Sequence, residues 1–391
     1  MKRSTDRILT THVGSLPRSE RLIALMREGP SEKTSGADFD SAARSAVKEV
    51  VSRQVALGID IVDDGEQAKT GFISYVNERL SGFEPQKAGP VHGPWAGSRE
   101  ALAFPEFYQE STKTQAQNWG RISNRWVCTG PIRYKGQAVL KRDLDNLKAA
   151  LAGQGAVEAF VPAASPGSIA NWQTNAHYAS AEEFETAIAD AIREEYKAII
   201  DAGFLLQVDD PELVTHYVKH PGEDIAQYRR WAERSVEMLN YALRDLPPER
   251  VRHHTCYGIN MGPRVHDVEM KEIAAIVLKI RAGAYSFEAA NPRHEHEWRL
   301  WQEVELPAEK AIIPGVISHT TVLVEHPELI AERIIRFARL VGRERVIAGA
   351  DCGFGTQASA TPEIHPTIAW AKLDALAAGA RLASKELWGK G

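Results

Sequence analysis

The chain has 391 residues, of which 43% are hydrophobic and 25% are charged, and its formal net charge is −5 at pH 7. This composition is that of a globular protein, and the small negative charge does not favour nucleic acid or an anionic membrane as a partner. The N-terminus lacks the apolar run of a secretory signal, and no stretch reaches the ~18 apolar residues of a membrane span, so we expect a cytoplasmic protein.

A short apolar run that ends in polar or glycine residues recurs eight times, with segments of helical periodicity between the runs. Strands that alternate with helices predict parallel pairing through right-handed crossovers, and eight units predict an α/β fold of the (β/α)8 TIM-barrel type. A doubly wound open sheet is the alternative. The predicted strands are Ile8–Gly14, Ile59–Asp64, Ala156–Ala164, Phe204–Asp209, Val251–Cys256, Ala284–Glu288, Ile312–Ile317 and Arg345–Asp351. The clearest predicted helices are Phe39–Leu57, Ala181–Ala202, Ile225–Leu246, Met270–Ile280 and Pro327–Val341.

The segment Gln67–Ala156, between the second and third runs, is too long for an ordinary loop and is rich in Gly, Pro, Gln and aromatic residues. It contains one strand-like stretch, Arg125–Tyr134, in which Cys128 has no evident chemical role. Loops of this length usually cover or shape an active site. We therefore predict one domain spanning 1–391, with residues 67–156 inserted over the active-site face.

Potential metal ligands follow three of the predicted strands, at the ends where a barrel builds its active site. His254 and Cys256 lie two residues apart, so both side chains point to the same side of one strand. Glu288 ends the next strand and Cys352 follows the last. Two thiolates, an imidazole and a carboxylate suit tetrahedral Zn²⁺, whereas the alternative is that the cysteines are small buried hydrophobic residues. The sequence predicts a zinc site.

Such a site has a specific chemical use. Coordination to Zn²⁺ keeps a substrate thiol deprotonated at neutral pH, and the resulting thiolate can attack an electrophilic carbon. Two cysteine ligands reduce the Lewis acidity of the metal, which favours holding a nucleophile over activating water.

Several motifs resemble the cobalamin-independent methionine synthase superfamily, and they match the catalytic C-terminal barrel of its two-domain members. The motifs HTC and DCG and the residue Glu288 correspond to the zinc ligands of that superfamily. The resemblance further implies that Ser15, Glu66 and Asp209 bind the amino acid part of homocysteine and that His319 transfers a proton. It also implies that the N-terminal barrel has no counterpart here. The stretches CYGINMGPRVHD, FEAANPRHEHEW, VEHPELIAERI and IAGADCGFGT resemble the single-barrel branch related to epoxyalkane:coenzyme M transferase.

The sequence leaves the roles of some polar residues undecided. Asp210 could take the place of Asp209, because alternate residues of a strand face opposite sides. His294 and His296 form an H-x-H pair, which we expect to begin a helix rather than to bind a second metal. The candidates for binding an anionic group of a substrate are Arg18, Arg264 and His266.

The expected activity is transfer of a methyl or alkyl group to a zinc-bound thiolate, with methionine synthesis from homocysteine as the first choice. Glu66 and Asp209 favour a thiol that carries an ammonium group, which coenzyme M lacks. The alternatives are epoxide opening by a coenzyme M-like thiol and a zinc- and thiol-binding barrel without catalysis. The expected partners are a small thiol and an alkyl donor, and an oligomer is compatible with the sequence.

Overall fold

The computed structural model describes residues 1–27, 36–85, 95–111, 126–258, 261–358 and 364–389. Its strands are β1 (Leu9–Thr10), β2 (Ile61–Val62), β3 (Phe83–Pro85), β4 (Trp126–Cys128), β5 (Glu158–Ala164), β6 (Gln173–Asn175), β7 (Leu205–Asp209), β8 (Val251–Thr255), β9 (Ala284–Phe287), β10 (Ala311–Ile317) and β11 (Ile347–Ala350).

Eight of these strands form one parallel sheet in the order β1-β11-β10-β9-β8-β7-β5-β2. A parallel bridge between Thr11 and Ile61 joins the two outer strands and closes the sheet into a barrel. Each of the eight predicted runs overlaps one barrel strand, so the (β/α)8 prediction is confirmed. The alternative of an open, doubly wound sheet is wrong.

Helices cover the outside of the barrel. They are α1 (Glu20–Arg27), α2 (Ala37–Leu57), α3 (Val76–Arg79), α4 (Arg99–Ala103), α5 (Gln137–Leu151), α6 (Pro166–Trp172), α7 (Ala181–Asp201), α8 (Glu212–Lys219), α9 (Ile225–Ala242), α10 (Ala274–Val277), α11 (Pro327–Val341) and α12 (Pro366–Trp388). The predicted helix Met270–Ile280 is instead a 3₁₀ turn, Met270–Glu272, followed by the short α10. No helix within the described ranges has the length and apolar character to cross a membrane.

Part of the predicted insertion belongs to the helical layer of the barrel. Helix α5 packs against α2 and is tied to it by an ion pair between Arg142 and Asp40, with Nη1 and Oδ1 3.1 Å apart. It is therefore the crossover helix between β2 and β5, and the predicted range 67–156 was too long at its C-terminal end. The rest of the range includes β3 and β4, which form a small sheet with β6. Of the predicted stretch Arg125–Tyr134, Arg125 lies outside the described residues.

The interior of the barrel changes from apolar to polar along the strands. Leu9, Ile61, Phe160, Leu205, Ala284, Ala311, Ile313 and Ile347 form a closed apolar layer at the N-terminal ends. The buried Arg252 lies above this layer, with its guanidinium carbon 4.1 Å from the centroid of the Phe160 ring. Its Nη1 donates to Thr11 Oγ1 at 2.9 Å and its Nη2 donates to the carbonyl of His12 at 2.7 Å. Above the apolar layer the interior of the barrel is therefore lined by polar side chains.

Candidate active site

Three potential metal ligands meet at the carboxyl ends of β8 and β11. The ligand atoms of His254, Cys256 and Cys352 all lie within 4.8 Å of one another, and all three residues are buried. The two sulfur atoms are 3.0 Å apart, and both cysteines are free. We call these three residues the thiol-imidazole group.

The imidazole of His254 is oriented for ligand binding. Its Nδ1 lies 3.3 Å from Ser286 Oγ, while its buried Nε2 has no hydrogen-bond partner among the described residues. Burial, and then the neighbouring His253, lower the pKa of His254 well below its usual value, which keeps the ring neutral. A neutral imidazole with one uncommitted nitrogen beside two cysteine sulfurs is the donor set that soft or borderline cations prefer. The residues therefore fit a bound metal ion.

Glu288, the fourth predicted ligand, lies beside this group rather than in it. Its carboxylate forms a second buried set with His319 and Asp351, again with ligand atoms within 4.8 Å of one another. Oε1 accepts a hydrogen bond from the backbone N–H of Tyr257, the residue after Cys256, at 3.0 Å. Oε2 accepts from Arg264 Nη2 at 2.9 Å and from Asn291 Nδ2 at 2.8 Å. The structure thus joins three of the predicted ligands and holds Glu288 next to them.

His319 and Asp351 lie just after the carboxyl ends of β10 and β11. Burial lowers the pKa of His319 to about 4, although Asp351 acts in the opposite direction. Neither ring nitrogen of His319 has a hydrogen-bond partner within the part of the chain that the structure describes. Asp351 Oδ1 accepts from the backbone N–H groups of Ala289 and Ala290 at 2.8 and 2.9 Å. Asp351 therefore anchors the loop after β9, whereas His319 is neutral and uncommitted.

Glu66 and Asp209 form an acidic pocket beside the thiol-imidazole group. Asp209 is paired in register with His254, and burial together with the charge of Glu66 raises the pKa of Asp209 well above its usual value. Asp210 points elsewhere, because its Oδ1 accepts from the Ser165 hydroxyl at 2.8 Å. Of the two aspartates left open by the sequence, Asp209 is therefore the one that faces Glu66.

A lysine lies in the same pocket, and the sequence analysis missed it. Lys69 is buried, with its Nζ 3.8 Å from Glu66 Oε1, and it donates to the carbonyl of Pro162 at 2.5 Å. The spacing of three residues between Glu66 and Lys69 in a turn was the available signal. Arg252 was also missed. It lies two residues before His254 and four before Cys256, so its side chain points to the same side of β8 as theirs.

Ser15 connects the acidic pocket to the thiol-imidazole group. Its carbonyl accepts from the backbone N–H of Phe354 at 2.8 Å, and its Oγ lies 3.4 Å from Thr356 Oγ1. A Cβ atom at Gly353 would lie 2.0 Å from Ser15 Oγ, so Ser15 packs directly against the residue after Cys352. On the other side, a Cβ at Gly14 would lie 3.6 Å from Glu66 Oε1.

The three candidates for anion binding and the H-x-H pair lie in different surroundings. Both terminal nitrogens of Arg18 donate to backbone carbonyls, those of Gly355 and Glu66, so Arg18 joins two loops and is not a free anion-binding group. Arg264 is buried against Glu288, whereas the side chain of His266 is exposed. His294 and His296 fall at the start of a 3₁₀ helix, Glu295–Gln302, which agrees with the expectation that a helix begins there.

Fold and site together define a (β/α)8 barrel with a buried thiol-imidazole group at the carboxyl ends of its strands and an acidic pocket beside it. The chain matches the model of the family described as cobalamin-independent synthase, catalytic domain, over residues 8–101 and 153–371. Because these ranges make up well over half of the chain, the protein belongs to that family, and the predicted resemblance is confirmed.

Relatives and solved structures agree with this assignment. The methionine synthase of Saccharolobus solfataricus is 24% identical over 385 residues, which is 98% of this chain and 96% of the relative. The 5-methyltetrahydropteroyltriglutamate–homocysteine methyltransferase of Vibrio vulnificus is 23% identical over 358 residues, 89% of this chain but 39% of that longer protein. The structure of a B12-independent methionine synthase from Shewanella sp. W3-18-1, in complex with selenomethionine, has a TM-score of 0.74 at 20% identity. It covers 98% of this chain and 100% of that one, and shows the same fold.

Proposed function

We propose that this protein transfers a methyl group from a methyl donor, which leaves demethylated, to the thiol of homocysteine and so forms methionine. Zn²⁺ would be held by His254, Cys256 and Cys352, with Glu288 as the fourth ligand. The observation that carries the proposal is the position of the acidic pocket next to the thiol-imidazole group: Asp209 is paired in register with His254, and Gly14 and Ser15 lie between Glu66 and Gly353. The family and the names of the relatives support the same reaction.

Bound Zn²⁺ would lower the pKa of the substrate thiol, so that it reacts as a thiolate at neutral pH. The residues of the chain bind and orient the substrate. Glu66 is buried and Asp209 is half-buried beside it. Burial and then the charge of Glu66 raise the pKa of Asp209, and an ammonium group placed between the two carboxylates would offset their mutual repulsion. Ser15 Oγ and the backbone N–H groups of its turn would bind the carboxylate of the same substrate.

His319 is the proposed proton carrier. It is neutral in the buried site, its ring nitrogens are uncommitted among the described residues, and it lies within 4.8 Å of Asp351 and Glu288. A neutral imidazole can accept a proton, and Asp351 would stabilise the charged ring that results.

The metal assignment is tested by zinc analysis of the purified protein and of three Cys→Ser variants. We expect one zinc ion per chain in the wild type and loss of zinc in Cys256→Ser and Cys352→Ser. Cys128→Ser is the matched control, because Cys128 is equally buried but lies in the small sheet with β3 and β6, and it should retain zinc. Retention of zinc by both Cys256→Ser and Cys352→Ser would show that the metal site is elsewhere or absent.

The choice of thiol is tested by zinc-edge X-ray absorption with homocysteine or coenzyme M added. Homocysteine should replace one oxygen or nitrogen neighbour with sulfur, and methionine should form when a methyl donor is supplied. Stronger binding of coenzyme M than of homocysteine would instead indicate the epoxide-opening branch. Zinc binding without a change of ligands on addition of either thiol would favour a barrel without this chemistry.

A further inference from the structure

The two histidines of the H-x-H pair occupy different environments. His296 is exposed, whereas His294 is buried and stacks on the Tyr257 ring with the centroids 3.9 Å apart. His294 Nδ1 lies 2.9 Å from Glu297 Oε2, and Nε2 lies 3.2 Å from Asp267 Oδ2. Burial lowers the pKa of His294, but the hydrogen bonds to these two carboxylates outweigh it and raise the pKa to about 9. His294 is therefore a buried cation at neutral pH.

Arg264 continues this set of charges toward the metal site. Its Nε donates to Asp267 Oδ2 at 2.8 Å, and its Nη2 donates to Glu288 Oε2 at 2.9 Å. The side chain is only 3% exposed, and its backbone has the left-handed φ of 58°, which is unfavourable for a residue other than glycine. Glu100, in α4, holds this turn by accepting from the backbone N–H groups of Arg264 and His266 at 3.1 and 2.6 Å.

The charges alternate without a break along Glu297, His294, Asp267, Arg264 and Glu288. We propose that Arg264 and His294 are positioning residues, which hold the Glu288 carboxylate beside the thiol-imidazole group through this buried ionic chain. The inference rests on the proposed function in one respect, namely that a zinc ion binds at the thiol-imidazole group.

Arg264 and His294 act on the orientation of one carboxylate, that of Glu288. Glu288 accepts hydrogen bonds from Tyr257, Asn291 and Arg264, and only the last of these is charged. The outer partners of a metal-binding carboxylate fix its rotamer, and their loss typically costs about 10–100-fold in metal affinity. If the charge of His294 is removed, Arg264 is the one cationic partner that Asp267 keeps among the described residues, and Asp267 draws the guanidinium away from Glu288. Loss of the His294 charge therefore reaches the proposed metal site through the buried ionic chain.

The first experiment compares His294→Gln with His296→Gln. Zinc affinity is measured on the metal-free proteins by competition with a chromophoric chelator. We expect His294→Gln to weaken zinc binding by about tenfold or more, while His296→Gln, the same change at an exposed position two residues away, has no effect. Arg264→Lys retains the charge but lacks the fork that bridges two carboxylates, so it should also weaken binding and provides a second, milder variant. Wild-type affinity in both His294→Gln and Arg264→Lys would overturn the inference.

A double-mutant cycle separates positioning from a general structural role. If His294 acts through Glu288, the change His294→Gln should have no further effect on zinc affinity in a Glu288→Gln background. An additive loss would show that His294 supports the fold rather than Glu288, and the inference would fail. If the wild type binds no zinc, or if Cys256→Ser retains it, the proposed function fails together with the inference. If zinc depends on Cys256 but not on His294 or Arg264, only the inference fails.

Discussion

Gly315, in β10, packs against Asp351 and so sets the position of Cys352, the last of the proposed metal ligands. A Cβ atom at Gly315 would lie 2.0 Å from Asp351 Oδ1, 2.7 Å from the backbone nitrogen of Asp351 and 2.8 Å from its Cα. The carboxylate could swing away, but the backbone of Asp351 cannot, because its N–H donates to the carbonyl of Ile317 at 3.0 Å. Gly315→Ala must therefore push β11 outward or displace the Asp351–Cys352 turn.

The cost of this change has two parts. Overpacking of a well-packed interior costs about 1–3 kcal/mol. Displacement of Asp351 Oδ1 also weakens its hydrogen bonds to the N–H groups of Ala289 and Ala290, and bonds to a charged group contribute about 1.5–3 kcal/mol each. We expect Gly315→Ala to lower the free energy of unfolding by about 3 kcal/mol and to weaken zinc binding, because Cys352 follows Asp351 directly.

The assay is urea unfolding of the metal-free protein combined with zinc titration. Gly222→Ala is the matched control, since no atom lies within 4 Å of a Cβ atom there, and it should leave stability within about 0.5 kcal/mol of the wild type. If Gly315→Ala matches Gly222→Ala in both measurements, close approach of β10 and β11 does not set the position of Cys352.

Three further changes test other parts of the structure. Burial lowers the pKa of His12 to about 4, and its Nδ1 accepts a hydrogen bond from the N–H of Gly14, so the protein should lose stability as the pH falls from about 6.5 to 4. In urea titrations at different pH values, His12→Gln should remove up to ~1.4 kcal/mol per pH unit of that loss. An unchanged dependence of stability on pH would contradict the assignment. Asp209→Asn should raise the KM for homocysteine at least tenfold, whereas Asp210→Asn should lower the melting temperature and leave KM unchanged; the reverse pattern would exchange their roles. Glu100→Gln should weaken zinc binding less than Arg264→Lys does, because it loosens the turn and leaves the guanidinium, and a larger effect would place Glu100 closer to the site than the structure does.

The sequence was sufficient to predict the barrel and the proximity of His254, Cys256 and Cys352 at the strand ends. Alternation of apolar runs with amphipathic helices determines the order of strands, and the order of strands determines which ends meet. His254 and Cys256 were therefore predictable from their spacing along β8, and Cys352 from its position after β11. The helix α5 was missed because its range was assigned to a long insertion, although its apolar residues recur with helical periodicity.

The side-chain contacts in the site were not predictable in the same way. Whether Asp209 or Asp210 faces Glu66 depends on the register of β7. A register shift of one residue would turn every side chain of the strand to the opposite face. The ion pair between Arg264 and Glu288 joins residues 24 apart and requires the left-handed backbone at Arg264. No local pattern in the sequence specifies that turn.

The difference between the thiol-imidazole group and Glu288 follows from how each is supported. His254 and Cys256 belong to or directly follow one strand, so the barrel itself fixes their separation. Glu288 projects from β9 toward a loop, and three hydrogen bonds from that loop and its neighbours hold the carboxylate. The orientation of this carboxylate therefore depends on groups outside β9, whereas β8 fixes His254 and packing against Gly315 fixes the Asp351–Cys352 turn. Loss of the loop contacts should therefore change the affinity for zinc without abolishing the site, whereas loss of either cysteine should abolish it.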